Sequence, residues 1–314
     1  MNYITPRMKF FLKILFGGFI VAFLIWSFDV NQVISQLASF PLLLIIPVAV
    51  IYLFTLFILS MRWRFILHAM HFDLPPWTAL EAFTAGVLLS DISPGRVGEV
   101  SRPYFIKELV PVGTGLASFL LDRFVDIMGK IFLFMIALVF FSYMLPSEHS
   151  FLVLLLLLFP FIILSVLFFT KEKNNRFKFL LKYNRLHEFV SDFQSGIRKV
   201  DHPIWVLMIT SMWTVFAAVL QGFRLVILAW GIGYYLPLME ITILQSLMSA
   251  LSLVPVSIAG LGLVEGGLTV VLSSFGIPAA SGLTLAVLDR VITVCVHVLV
   301  GLKIIIRRDR DLNL

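Results

Sequence analysis

Long unbroken apolar runs, separated by short polar stretches, set the plan of this chain. Six of them, at about residues 10–28, 41–67, 114–142, 151–170, 204–231 and 281–306, reach the ~20 residues an α-helix needs to cross a bilayer core. None alternates with a period of two, which excludes a transmembrane barrel. Two further apolar stretches, about 77–93 and 240–256, end at backbone breaks and are followed by short second pieces, about 97–110 and 261–275. Pro94, Gly95 and Gly98 make the first break; Pro255, Gly260 and Gly262 make the second. Arg96, Glu99 and Arg102 follow the first break at once. At membrane depth such backbone is tolerated only where protein buries it or where it lines a wet cavity. Each pair therefore reads as a re-entrant helical hairpin, entering and leaving on one side. The fold expected is an all-α integral membrane protein with about six transmembrane helices plus two re-entrant hairpins, in one membrane domain over 1–314.

Composition agrees: 60% of residues are hydrophobic, 13% are charged, and the mean hydropathy is +1.01. Cys295 is the only cysteine and lies in an apolar run, so neither a disulfide framework nor a cysteine-based metal site is expected. The net charge of +6 collects in a few loops and bears on topology rather than on nucleic-acid binding. Loops 29–40, 143–150 and 232–240 hold no Lys or Arg. The opposite set is basic: Arg7, Lys9 and Lys13, then Arg62 and Arg64, then Lys171 through Lys199, then Lys303, Arg307, Arg308 and Arg310. With six crossings and two non-crossing hairpins every basic cluster falls on one side, which the positive-inside rule makes cytoplasmic, together with both termini. The expected location is the cytoplasmic (inner) cell membrane. The first apolar run resembles a signal peptide but lacks a small-residue cleavage pattern, so it reads as a retained span. Residues 171–203 place Phe177, Leu181, Phe189 and Phe193 at helical spacing among Lys and Arg. They suit a cytoplasmic amphipathic linker, lying in the headgroups or packed under the bundle.

The chain also repeats itself. Asp122-Arg123 recurs as Asp289-Arg290, an offset of 167 (289 less 122); Glu99 recurs as Glu265, an offset of 166; Arg62 recurs as Arg224, an offset of 162. One unit covers about 41–142 and the other about 204–306, each a span, a hairpin and an Asp-Arg span. Under the topology above the two are inverted, a recurrent plan among transporters whose broken helices meet near the midplane.

Charge inside the spans is the main candidate chemistry. Asp122 and Asp126 share a helix face at i,i+4, as do Asp126 and Lys130, and Asp289, Thr293 and His297 form the matching stripe. An isolated charge at the centre of a span costs about 2.5–3.5 kcal/mol even on insertion scales, so these groups must pair or line a wet cavity. Arg96, Arg102, Arg123, Arg224 and Arg290 are the candidate phosphate ligands, with Glu99, Glu265, Asp122, Asp126 and Asp289 orienting them or meeting a cationic head group. The plainer alternative is that the Asp-Arg pairs only lock each span to its hairpin. Arg62 and Arg64 flank Trp63 and read mainly as interfacial anchors, and His68 and His71 also look interfacial. His297 is either a packed core histidine or a candidate proton carrier. No metal constellation, nucleophile elbow or phosphate loop is visible, so neither a metal nor a cofactor is expected.

Pro94-Gly-Arg-Val-Gly-Glu99, preceded by Arg62-Trp63 and followed by Asp122-Arg123-Phe-Val-Asp126 and Gly260-Leu-Gly-Leu-Val-Glu-Gly266, resembles the lysylphosphatidylglycerol synthase transmembrane-region family of flippase-like proteins. The resemblance covers nearly the whole chain. In the larger relatives, the multiple peptide resistance factors, it implies that this region moves aminoacylated phosphatidylglycerol between leaflets while a separate soluble domain transfers lysine. This chain ends at Leu314 without that domain, so the expectation is a non-enzymatic lipid flippase or scramblase-like transporter of a phospholipid or glycolipid head group. The rivals are a secondary transporter of a small anionic solute and a membrane subunit supporting a lipid-modifying enzyme. Expected partners are membrane lipids, with a lipid-modifying synthase or a second copy as candidate protein partners, and no nucleic acid.

Overall fold

The structure, a computed structural model, describes residues 30–93, 96–140, 200, 202–251 and 262–312. The expected spans at about 10–28 and 151–170, loop 143–150, nearly all of the linker 171–203, and Pro94, Gly95, Pro255 and Gly260 lie outside them. Every regular element among the described residues is helical: α1 (Val30–Ser39), a 3-10 turn (Leu42–Leu44), α2 (Ile45–Ala69), α3 (Pro76–Asp91), a second 3-10 turn (Val97–Ser101), α4 (Arg102–Phe105), α5 (Val112–Phe140), α6 (Pro203–Gly231), α7 (Leu238–Leu251), α8 (Leu263–Ser274) and α9 (Ala279–Leu312). The basic-free stretch 29–40, expected as a loop, thus holds a helix, tied down by Gln36 Nε2 donating to Ser281 Oγ at 2.7 Å.

The chain divides into two compact units, one made of Met1–Leu56, Thr84–Glu99 and Ala218–Leu314, the other of Phe57–Phe83 and Val100–Ala217. In the first unit Phe40, Val48, Leu228, Leu244, Leu272 and Leu285 belong to one apolar core. In the second, Ile66, Met70, Leu121, Phe124, Val125 and Val206 do the same. Polarity does not separate inside from outside. Ile46, Val50 and Phe54 point outward from α2, while Thr55, Ser60 and Arg62 of the same helix are buried. Water would oppose that arrangement, and lipid favours it.

The repeat extends well beyond the charged residues, down to backbone hydrogen bonds. α2 ends with Phe72 N–H donating to Leu67 O and His71 N–H to His68 O; α6 ends with Tyr234 N–H donating to Ala229 O and Gly233 N–H to Trp230 O. Both are Schellman-type closures around a left-handed residue, His71 at φ 67° and Gly233 at φ 90°, at the same offset of 162 (233 less 71). The next helices start alike, Ala79 N–H on Pro75 O and Ile241 N–H on Pro237 O. A left-handed residue then precedes each glutamate by three: Arg96 at φ 57° before Glu99, and Gly262 at φ 82° before Glu265. Finally the Asp-Arg helices open on Pro111 and Pro278, with Gly115 N–H on Pro111 O and Gly282 N–H on Pro278 O. Gly115 packs on Pro103, and Gly282 on Thr269, where side chains would crowd their neighbours.

At the first break the chain folds back tightly on α3. Gly98 N–H donates to Ser93 Oγ at 2.7 Å, and a Cβ on Gly98 would lie 2.3 Å from the Leu89 carbonyl. Only glycine permits that backbone-to-backbone approach.

Candidate functional site

Two charged centres occupy equivalent places in the repeat, one in each unit. In the second unit Asp122, fully buried on α5, is the hub. Arg62 Nε and Nη2 lie 2.8 and 2.7 Å from its Oδ1, and Arg102 Nη1 and Arg123 Nη2 lie 3.1 and 3.2 Å from its Oδ2. One turn on, Asp126 takes Lys130 Nζ at 2.7 Å, with Arg62 Nη1 at 3.5 Å and Arg123 Nη1 at 4.0 Å. Arg62 Nη1 also donates to Thr214 Oγ1 at 2.7 Å. The Arg102 guanidinium stacks on the Phe83 ring at 3.7 Å, and the Arg102 and Arg123 guanidiniums flank Phe119 at 5.6 and 5.7 Å. Planar guanidinium faces on aromatic rings leave the N–H edges for carboxylates, a division of labour an ammonium cannot reproduce.

Arg62 is therefore not an interfacial anchor. It is wholly buried, and so is Trp63, whose Nε1 donates to Ser118 Oγ at 3.0 Å. α2 runs on to Ala69, so the pair sits two turns inside the helix end rather than at it. His68 and Asp73 do stand exposed, 2.7 Å apart.

In the first unit Arg224 forks onto Asp289, Nε to Oδ1 at 2.8 Å and Nη2 to Oδ2 at 3.0 Å, with its guanidinium 4.5 Å from the centre of the Tyr52 ring. Arg290 Nη1 meets Glu265 Oε1 at 2.7 Å, while Glu265 Oε2 accepts the Gly262 N–H at 2.7 Å. Glu265 thus ties the first turn of α8 and holds an arginine of α9 at once. Arg96 stays within 3.8 Å of Glu99. His297, buried on α9, is bonded at both ring nitrogens: Nδ1 to Asp91 Oδ2 at 2.6 Å, and Nε2 to the Tyr52 hydroxyl.

All ten charged residues singled out from sequence thus stand in ion pairs, in two sets. Arg102, Asp122, Arg123 and Asp126 form one; Arg224, Glu265, Asp289, Arg290, and the Arg96–Glu99 pair fall in the other unit. Gly98 and Gly262 are the hinge residues described, one pressed on Leu89 and the other left-handed. Sequence reasoning missed Arg62 and Thr214 in the first set and Tyr52 and Asp91 in the second. The offset of 162 would have linked Tyr52 to Thr214, as it linked Arg62 to Arg224.

Among the described residues, Leu42–Ala69, Pro203–Gly231 and Ala279–Leu302 are long and apolar enough to cross a membrane. α5 matches them at 29 residues but carries Asp122, Arg123, Asp126 and Lys130. Such helices, enclosing ion-paired centres, define a multi-pass α-helical membrane protein. Residues 10–301 match the lysylphosphatidylglycerol synthase TM region, and the chain belongs to that family. No curated protein and no solved structure matches it.

Proposed function

We propose that the protein moves a phosphate-bearing lipid head group between leaflets, as a flippase or scramblase-like transporter without an aminoacyl-transfer step. The observation that carries this is a repeated pair. Arg123 and Arg290, equivalent at the offset of 167, are each gripped by a buried carboxylate, Asp122 or Glu265, yet remain 19% and 24% exposed. An arginine oriented on one edge and reachable on another is suited to bidentate capture of phosphate. Arg96, 27% exposed and held in a left-handed conformation ahead of Glu99, offers a third such edge. Acyl chains would stay in lipid while the head group passes these centres.

In this proposal the repeats are inverted, six spans and two re-entrant hairpins surround the path, and both termini face the cytoplasm. Reciprocal bonding supports a two-fold relation between the repeats. Arg62 of the first repeat bonds Thr214 of the second, while Arg224 of the second lies over Tyr52 of the first. Both members of the second pair are the 162-residue equivalents of the first, which is what a two-fold relation produces.

The test is a liposome assay with fluorescent phospholipids. Wild-type protein should speed their exchange between leaflets, and Arg123→Gln or Arg290→Gln should slow it about 10–100-fold, the worth of a charge-assisted hydrogen bond of about 1.5–3 kcal/mol. Vesicles that move no lipid but accumulate a soluble anion would overturn the proposal.

A further inference from the structure

We propose that His297, Asp91 and Tyr52 form a proton-binding site that couples lipid movement to pH, resting on the lipid-transport function proposed above. The three come from three helices. Asp91 is the last residue of α3, at the lip of the first break; Tyr52 is on α2; His297 is on α9, two turns beyond Asp289. His297 is 2% exposed, whereas the Asp91 side chain is 13% exposed, so the carboxylate is the end that reaches outward.

The geometry gives two states. With one proton on the ring, Nδ1–H donates to Asp91 and Nε2 accepts the Tyr52 O–H. A second proton from the aqueous phase sits on Nε2, which then donates to the Tyr52 oxygen, and the tyrosine O–H must turn elsewhere. No other bond is made or broken. The first state sets a neutral ring against a carboxylate; the second makes a buried ion pair between α9 and the end of α3. The bond to Asp91 strengthens just where the chain enters its break. Tyr52 passes the change on, because its ring lies beneath Arg224, which forks onto Asp289. Tyr52 thus stands between His297 and the Arg224–Asp289 pair, so the proton site adjoins the centre that would meet the head group.

Among the described residues, the equivalent positions in the other unit do not repeat this device. There the equivalent of His297 is Lys130, 2.7 Å from Asp126, and the equivalent of Tyr52 is Thr214, which has no ring. One centre therefore carries an ammonium where the other carries an imidazole.

Two measurements on the full chain test this. Histidine-selective nitrogen NMR in nanodiscs reads the ring directly. Recorded as the pH is lowered from about 8 to about 5, the His297 signal should pass from the one-proton to the two-proton form, and Asp91→Asn and Tyr52→Phe should each displace that change. A signal that does not titrate there, or that ignores both substitutions, overturns the proton site. In phospholipid vesicles the wild-type flip rate should change about tenfold across the same range, and His297→Gln should flatten the profile. An unchanged profile in a folded His297→Gln protein overturns the coupling and leaves lipid transport standing. Wild-type vesicles that move no lipid at any pH overturn lipid transport and the coupling together, while the NMR titration still decides the proton site.

Discussion

Replacing the two arginine–aspartate centres with apolar side chains should give opposite outcomes, because one is a pair and the other a hub. Among the described residues, Arg224 is the one cation paired with Asp289, through a hydrogen bond from Nη2 to Oδ2 and an ion contact from Nε to Oδ1. Taking away either partner leaves a charge in a membrane interior, which costs about 3–5 kcal/mol. Replacing both at once, as Arg224→Met with Asp289→Leu, removes the charge and its counter-charge together. Buried pairs exchanged this way for apolar groups of similar volume are close to neutral, so the double variant should return to within about 1 kcal/mol of wild type. Asp122, by contrast, binds Arg62, Arg102 and Arg123. Arg62→Met leaves two guanidiniums on the carboxylate and should cost about 1.5–3 kcal/mol, the value of charge-assisted hydrogen bonds lost. Adding Asp122→Leu takes the carboxylate away from Arg102 and Arg123 as well, so it should lower stability by a further ~3 kcal/mol or more instead of restoring it. The assay is SDS unfolding in mixed micelles, followed by tryptophan fluorescence and analysed as two double-mutant cycles. A coupling of about 5 kcal/mol or more is expected for Arg224–Asp289, since two losses of about 3–5 kcal/mol shrink to about 1 in the double variant, and no recovery is expected for Arg62–Asp122. Equal recovery in both cycles would refute the distinction between pair and hub.

Other outcomes follow from single positions. Gly98→Ala should destabilise by about 3 kcal/mol, the upper end for overpacking, because its Cβ would meet the Leu89 backbone 2.3 Å away; unfolding midpoints measure this. Arg96→Gly should fold about 1 kcal/mol more stably than Arg96→Ala, because both lose the Glu99 contact and only alanine keeps a left-handed Cβ, while both slow lipid movement alike. His71→Gly should likewise gain about 1 kcal/mol, and Gly233→Ala should lose about that much despite the open space around it, both read as shifts in unfolding midpoint.

Much of the site was legible because charge inside an apolar run is rare, and repetition of rare residues is easy to see. Asp122-Arg123 and Asp289-Arg290 declared both the repeat and the centres. Arg62 was harder. Beside Trp63 near the end of an apolar run it looks like an interfacial anchor, and only the extra turns of α2 beyond it show that it is interior. Tyr52 and Asp91 were not visible at all, since they meet His297 across 245 and 206 residues and no local pattern marks them. The Schellman closures were partly hidden because one uses His71 where the other uses Gly233, so the backbone repeats while the residue does not. Pro111 and Gly115 against Pro278 and Gly282 were the overlooked signal, at the same offset as the Asp-Arg pairs.

The offset itself changes partway through each half. It is 162 from Arg62 to Ala79 and 166 from Arg96 to Pro103, so the second half spends four more residues between its proline-led helix and its left-handed bend. Two identical halves would weigh the inward-open and outward-open forms of a rocking carrier equally, by symmetry alone. In the transport proposed above, unequal halves remove that symmetry, and the two forms then differ in free energy.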